Sequence, residues 1–298
     1  TAYVPLEPCA HHGRTPPCCD ALVAAGLARV VVALGDPNPL VAGQGTARLR
    51  AAGIRVDEGL MAAEARELNI GFFSRQVRGR PWVRMKIAAS LDGRTALDNG
   101  VSQWITAEAA RTDGHAWRKR AGAVLTGIGT LLEDDPRLDV RLVQTAKQPL
   151  RVVVDSRLET PPTAKLLAPP GEALVYGAVP NAEREAALRA AGAEVAFFPE
   201  SERGKVDLAA MLADLAARGI NELHVEAGHK LNASLLKAGL VDELLVYLAP
   251  KLIGLGREMA AFGPLETLAD AMELEFREVE AVGRDLRILA RPPGRGQF

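Results

Sequence analysis

Apolar and polar positions alternate in short runs through the first part of the chain. Ala2–Pro5 reads as a strand, Asp20–Gly26 as a short helical run ending on a glycine, and Arg29–Leu34 (RVVVAL) as a buried strand closed by Gly35. Gln44–Ala52 has helical spacing with Gly53 placed to stop it. Ile54–Asp57 is a short strand, and Leu60–Arg75 a single longer helix. Val-rich strands separated by helices predict a mostly parallel sheet covered by helices. TAYVPLEP reads as the middle of a strand running into a loop, so the expectation is a sequence that starts inside a domain.

The polar segment Arg75–Pro81 (RQVRGRP) is the expected domain boundary, which gives domains at 1–77 and 82–292. A second α/β series starts at Trp82. Its strands are expected at Val83–Ser90, Ala123–Gly127, Leu150–Asp155, Ala173–Tyr176, Glu194–Phe198, Glu222–Glu226, Glu243–Pro250 and Asp285–Arg291. Helices are expected at Ala107–Arg120, Asn181–Ala191, Leu208–Arg218, Lys230–Ala238 and, briefly, Leu265–Ala271. The last two long strands have no clear long helix between them, so a mainly parallel sheet should finish in an antiparallel edge.

Composition narrows the function classes. The 298 residues carry 36 basic and 37 acidic side chains, a net charge of −1, with no basic stripe of the kind that nucleic-acid binders use. No run of 18 apolar residues predicts a membrane helix, and no signal peptide is legible. A cytoplasmic protein is the expectation. Its three cysteines, Cys9, Cys18 and Cys19, lie in the first twenty residues, which suits metal ligation in a reducing compartment better than a disulfide framework.

Cys9 and Cys18 flank a Gly/Pro turn ahead of a helix. A thiolate at a helix N-terminus has a lowered pKa and makes a metal ligand, and catalytic zinc takes three protein ligands and one water. Two buried cysteines beside a Pro-rich turn would give the same spacing. In the second series, Leu91-Asp92-Gly93, Gly127-Ile128-Gly129-Thr130 and Ala227-Gly228 each follow a strand, where open α/β sheets place ligands. The glycine pair at Gly127 and Gly129 fits a close dinucleotide approach, or a plain strand-to-helix turn. Glu226 ends an otherwise apolar strand, and a carboxylate there is paired or functional. Lys86, on the strand MKIAAS, is its expected partner. Arg118 lies in the basic run HAWRKR, which by itself reads as a solvated helix face.

LEPCAHHGRTPPC (6–18) resembles the zinc signature of the pyrimidine deaminase domain in bifunctional riboflavin-biosynthesis deaminase–reductases, of the cytidine-deaminase-like group. KIAASLDGRTA (86–96), SQWIT (102–106), GIGTLLEDDPRL (127–138), RVVVDSRLETP (151–161), VEAG (225–228) and LVDELLVYLAPKLIG (240–254) resemble the reductase domain of the same family, across nearly everything from Trp82 to Arg291. The resemblance implies part of a cytidine-deaminase-like domain followed by a dihydrofolate-reductase-like domain, an α/β protein throughout. In the first domain it implies zinc on Cys9 and Cys18, with His11 and Arg14 facing substrate; His12 and Cys19 are not ligands. No H-x-E lies upstream of Cys9, where the family's third ligand and its general acid/base belong, so these have no counterpart in these residues, and the expectation is a chain that does not deaminate. In the second domain it implies NADPH on Ala88, Trp104, Thr130, Asp134, Ser156 and Gly228, His229, Lys230, Leu231, Asn232, Ala233 and Ser234. It implies a phosphorylated pyrimidine on Ser102, Arg118, Leu138, Arg141 and Glu226, with Lys86 and Glu226 as the catalytic pair, and a homo-oligomer without nucleic-acid or membrane partners. The implied activity is reduction of a phosphoribosylamino-pyrimidine to its ribityl form. A nucleic-acid deaminase, a reductase carrying a degenerate deaminase domain, and a nucleotide-binding module without turnover are the competing readings.

Overall fold

The structure, a computed structural model, describes residues 1–13, 15–39, 41–200 and 204–298. It divides into two compact units, 1–79 together with Phe298, and 80–297. Among the described residues no helix is long and apolar enough to cross a membrane.

The first unit runs β1 (Ala2–Val4), α1 (Cys18–Ala24), β2 (Arg29–Val32), α2 (Gln44–Ala51), β3 (Arg55–Glu58), α3 (Ala62–Leu68) and α4 (Ile70–Arg78). The strands form a parallel sheet in the order β1-β2-β3. Its core is Cys19, Val30, Val32, Leu49 and Ile54. The helix expected over Leu60–Arg75 is two helices, broken where Asn69 leaves the helical region (φ −108°, ψ 16°) and returns its side-chain amide to the carbonyl of Ala65. The expected boundary segment is in part helical, because α4 continues to Arg78 and stops on Gly79 in the left-handed conformation.

In the second unit the elements are β4 (Trp82–Ser90), β5 (Arg94–Leu97), α5 (Glu108–Arg120), β6 (Ala123–Gly127), α6 (Ile128–Asp134), β7 (Leu150–Val154), β8 (Ala173–Gly177), α7 (Ala182–Ala190), β9 (Ala193–Phe197), α8 (Leu208–Ala217), β10 (Glu222–Val225), α9 (His229–Lys237), β11 (Glu243–Ala249), β12 (Gly256–Glu258), β13 (Glu275–Val282) and β14 (Asp285–Arg291). Nine strands form one sheet in the order β13-β14-β11-β4-β10-β6-β7-β8-β9, with β5 and β12 paired apart from it. The pairs from β11 to β9 are parallel, while β14 joins β11 and β13 joins β14 antiparallel. The mixed α/β fold and the antiparallel edge follow the expectation. Four elements were not foreseen: β5, α6, β12 and β13. The first and third are too short to show a period, and β13 (EFREVEAV) is an exposed edge with little to bury. The helix expected over Leu265–Ala271 is a single 3-10 turn, Leu268–Asp270.

Alternation along β4 decides what each face meets. Val83, Met85, Ile87 and Ala89 enter a core shared with Met211, Leu212 and Leu215 of α8 and Leu235 and Leu236 of α9. The opposite face carries Arg84, Lys86 and Ala88, and α5 brings Ala110 and Trp117 to that side, beside Leu245, Tyr247 and Leu289. A one-residue register slip would exchange these faces.

Packing in the first unit requires glycine at position 45. A Cβ on Gly45, in α2, would lie 1.8 Å from the carbonyl oxygen of Pro8. Backbone cannot yield as a flexible side chain can, so Gly45→Ala should destabilise the first unit by about 3 kcal/mol or more, read by urea denaturation. A loss under about 1 kcal/mol would mean that the Pro8 loop is free to move aside.

Candidate active site

The carboxyl-terminal ends of β10 and β6 meet β4 and the side chains of α5 around Glu226. β10 presents Glu222 and His224 on one face, followed by Glu226 just beyond its end; His224 lies opposite Arg84 of β4 in the strand register. Glu226 N–H donates to the carbonyl of Leu125 (2.8 Å), and the Thr126 hydroxyl donates to the Glu226 carbonyl (2.8 Å), so its backbone is fixed to β6. The carboxylate takes a bidentate pair from Arg118, whose Nε meets Oε1 while NH2 reaches Oε2 at 3.0 Å. Lys86 Nζ stands 3.7 Å from Oε2, and His224 Nε2 3.3 Å from Oε1. Burial pushes the Glu226 carboxyl up; Arg118 and Lys86 outweigh it and hold the group well below the usual carboxylate range. Burial likewise keeps the wholly buried His224 neutral.

The same face continues as a row of shared charges. Arg84 bridges Glu222 (2.8 Å) and Glu243, Arg120 adds a second cation to Glu222 (2.9 Å), and Arg291 a second to Glu243 (2.7 Å). Trp117 roofs the row, with the Arg84 guanidinium 4.4 Å from its ring centre.

Each site residue expected in the second unit can be placed. Lys86, Arg118 and Glu226 are in mutual contact, and Ala88 follows Lys86 on the same, partly open face of β4. Arg118 NH1 also donates to the carbonyl of Asp139 (2.9 Å), between Leu138 and Arg141, which brings that segment to the cluster. All three terminal nitrogens of Arg118 are therefore engaged within the protein. Arg141 is half exposed and pairs with Asp139 at 2.6 Å. Thr130, in the first turn of α6, lies against the N-terminus of α9: a Cβ on Gly228 would come within 3.1 Å of the Thr130 hydroxyl. His229 through Ser234 form the first turns of α9. Lys230 and Ser234 are exposed, Leu231 packs against the core, and Ala233 is buried. Asn232 is buried too, its amide donating to the Met259 carbonyl (2.9 Å) while its Oδ1 has no partner among the described residues. Ser102 hydrogen-bonds Asp134. Both line an open cleft of about 440 Å³ with Asn99, Glu133 and Arg257. Trp104 is exposed, with the Arg111 guanidinium 4.6 Å from its ring centre and its carbonyl bound by Lys251 (3.0 Å). Ser156 lies beyond β7, two strands across from β10, and accepts from Val206 N–H (3.3 Å).

Sequence reasoning passed over three residues of this site: Arg84, His224 and His115. The alternation Glu222, His224, Glu226 was itself the signal, since polar residues at every second position mark one face of a strand.

In the first unit, Cys18 N–H donates to Cys9 Sγ (3.3 Å), so the two sulfurs are neighbours. The thiol of Cys18 departs from expectation: the hydrogen bond with Cys9, then burial, raise its pKa although it begins a helix. Cys19 is buried and donates to the carbonyls of Pro8 and Gly45. Glu7 braces the loop by accepting from Asp36, Gly43 and Thr46 N–H groups. His11 Nδ1 is buried without a partner among the described residues. Arg14 lies outside the described residues. Zinc wants three or four protein donors, and among the described residues no group of three or more His, Cys, Asp or Glu could hold a metal. The donor set present does not fit zinc.

A mainly parallel α/β sheet, with an ionised carboxylate between two cations and a helix N-terminus beside it, is the kind of place where open α/β proteins bind their ligands. Residues 81–288 match the family model described as the RibD C-terminal domain. The chain is 45% identical over 299 residues to the riboflavin biosynthesis protein RibD of Escherichia coli K12, covering 96% of this chain and 80% of that one. It is 40% identical to the solved structure of Acinetobacter baumannii RibD, form 1, at a TM-score of 0.86, covering 96% of this chain and 79% of the other. A Thermotoga maritima structure titled as a diaminohydroxyphosphoribosylaminopyrimidine deaminase/5-amino-6-(5-phosphoribosylamino)uracil reductase is 30% identical, at a TM-score of 0.84, over 96% and 78%. The chain belongs to the RibD family of riboflavin-biosynthesis proteins.

The charge row yields a direct test. Removing one member of a buried pair strands its partners, at about 3–5 kcal/mol. Arg84→Met leaves Glu222 and Glu243 each short of a cation. It should lower the stability of the second unit by that amount in urea denaturation, and a change below about 1 kcal/mol would show that water or relaxation replaces the pair.

Proposed function

We propose that this chain is an NADPH-dependent reductase of riboflavin biosynthesis, which converts the ribosyl group of 5-amino-6-(5-phosphoribosylamino)uracil to the ribityl chain. The observation that carries the reading is Glu226 held ionised between Lys86 and Arg118 at the strand ends, beside the open N-terminus of α9. Membership of the RibD family supports it. The 80–297 unit is read as the dihydrofolate-reductase-like reductase domain, and residues 1–79 as belonging to a cytidine-deaminase-like domain.

The residues present fit a dinucleotide. The N-terminus of α9 has no side-chain cap, its backbone N–H groups suit a pyrophosphate, and the orphan Oδ1 of Asn232 can accept from a bound amide. Gly228 to Ser234, with Thr130, Asp134, Ala88, Trp104 and Ser156, would hold it. Bound there, NADPH supplies a hydride to the first carbon of the ring-opened sugar imine.

The protein's own work is orientation and one proton. Glu226 is ionised, so it accepts rather than donates: it can hold an N–H or hydroxyl of the open sugar. Lys86 carries three donors and can deliver a proton to the nitrogen as the carbon is reduced. Arg118 fixes the carboxylate, which leaves the half-exposed Arg141 to meet the phosphate; Leu138 and Ser102 complete the substrate wall. Because the thiol pair does not fit zinc, no hydrolytic step is assigned to these residues. A cytoplasmic location and a homo-oligomer complete the proposal, the oligomer supported by the exposed Phe276 and Val279 on the edge strand β13 and Leu286 on β14 beside it.

Glu226→Gln keeps the shape and removes the charge. Turnover should fall about a hundredfold or more while the circular dichroism spectrum stays that of the wild type. Unchanged turnover would take Glu226 out of the mechanism.

A further inference from the structure

His115 stands on α5, 4% exposed, and the mechanism above leaves it unused. Its Nδ1 accepts the backbone N–H of Arg141 at 3.2 Å. Only a neutral imidazole with its proton on Nε2 can do this. The charged groups facing it are Arg118 from its own helix, Asp139 and Arg141 from the segment after α6, and Glu226 from the end of β10. Burial, then Arg118 and Arg141, lower its pKa to about 4 against the pull of Glu226 and Asp139, so the acceptor is intact at neutral pH.

The segment that His115 grips is held against its own preference. Leu138 has φ +52°, a left-handed conformation that a branched side chain rarely adopts. Such a conformation persists where surrounding bonds over-determine it. Four such bonds are present: Arg118 NH1 to the Asp139 carbonyl (2.9 Å), Val140 N–H to Gln148 Oε1 (2.7 Å), Gln148 Nε2 to the Val140 carbonyl (2.9 Å), and Arg141 N–H to His115. Of these, the His115 bond alone fixes the backbone of Arg141 itself. The Arg141 guanidinium has one carboxylate partner, Asp139, and is otherwise half in solvent, so its placement follows its backbone.

We infer that His115 is a positioning residue for phosphate recognition: by accepting the Arg141 N–H it aims the Arg141 guanidinium at the substrate's phosphate. The inference rests on the reading of Arg141 given above.

Steady-state kinetics with the phosphorylated substrate and its dephosphorylated riboside test it. His115→Ala removes the acceptor, and His115→Leu does so with less lost volume should Ala perturb folding. Each should raise KM for the phosphorylated substrate about five- to tenfold, the worth of one neutral hydrogen bond. The kcat, the KM for NADPH and the KM for the riboside should stay within about twofold. His115→Asn places Oδ1 near the position of Nδ1 and should restore KM.

The pH dependence has a definite sign. As pH falls toward 4 His115 protonates, the acceptor is lost, and a new cation faces Arg118 and Arg141. The wild-type KM should therefore rise relative to that of His115→Asn, a ratio from which the phosphate's own titration cancels. Arg141→Ala separates the two readings. If it leaves KM for the phosphorylated substrate unchanged, the phosphate reading of Arg141 fails and this inference with it. If it raises KM but the His115 variants do not, or they affect both substrates equally, the inference alone is overturned.

Discussion

Three carboxylates along one face of the central strands, each shared by two cations, set the geometry of the second unit. Glu243 lies between Arg84 and Arg291, Glu222 between Arg84 and Arg120, and Glu226 between Lys86 and Arg118. Buried ion pairs contribute little stability over apolar packing of the same volume, yet are costly to break. Their effect is on geometry. Arg84 joins β4 to carboxylates on the strands at either side of it, so a slipped register would strand charges as well as bury the wrong faces. Arg118 and Arg120 fix α5 over the row, and Trp117 fills the space between.

The row changes character along the strands. At its inner end Glu243 and Arg84 are sealed from water, and their charges are spent on each other. At its outer end Glu226 keeps 15% of its side chain exposed and Lys86 24%, which leaves donors and acceptors for a ligand. The partial opening arises where β10 ends at Val225 and the chain turns through Ala227 and Gly228 into α9. A single architectural device thus supplies both a rigid foundation and a preorganised site, and preorganised groups cost little reorganisation when the substrate reacts.

Much of this was legible in the chain. The strand expected at Val83–Ser90 is present, beginning one residue earlier at Trp82, and the Lys86–Glu226 contact could be read from a carboxylate ending an apolar strand. From the residues alone Arg118 reads as solvated, because HAWRKR is basic; the docking of α5 turns it inward onto Glu226. The 137–141 segment was opaque, since Leu138 gives no sequence sign of a left-handed backbone, and His115 matters through a main-chain bond that no motif encodes. Around Cys9 and Cys18 the spacing suited a metal ligand, and the helix N-terminus promised a reactive thiolate. The two sulfurs instead lie side by side and raise the Cys18 pKa, a contact between residues nine apart that local helix electrostatics does not foresee.

The central claim is that the open end of the charge row holds the sugar for hydride transfer. Deuterium at the reactive ring carbon of NADPH, followed by NMR of the product, tests it most directly. The account predicts one deuterium per product, at the first carbon of the ribityl chain. Product without deuterium there, or NADPH bound without being oxidised in the presence of substrate, would contradict it.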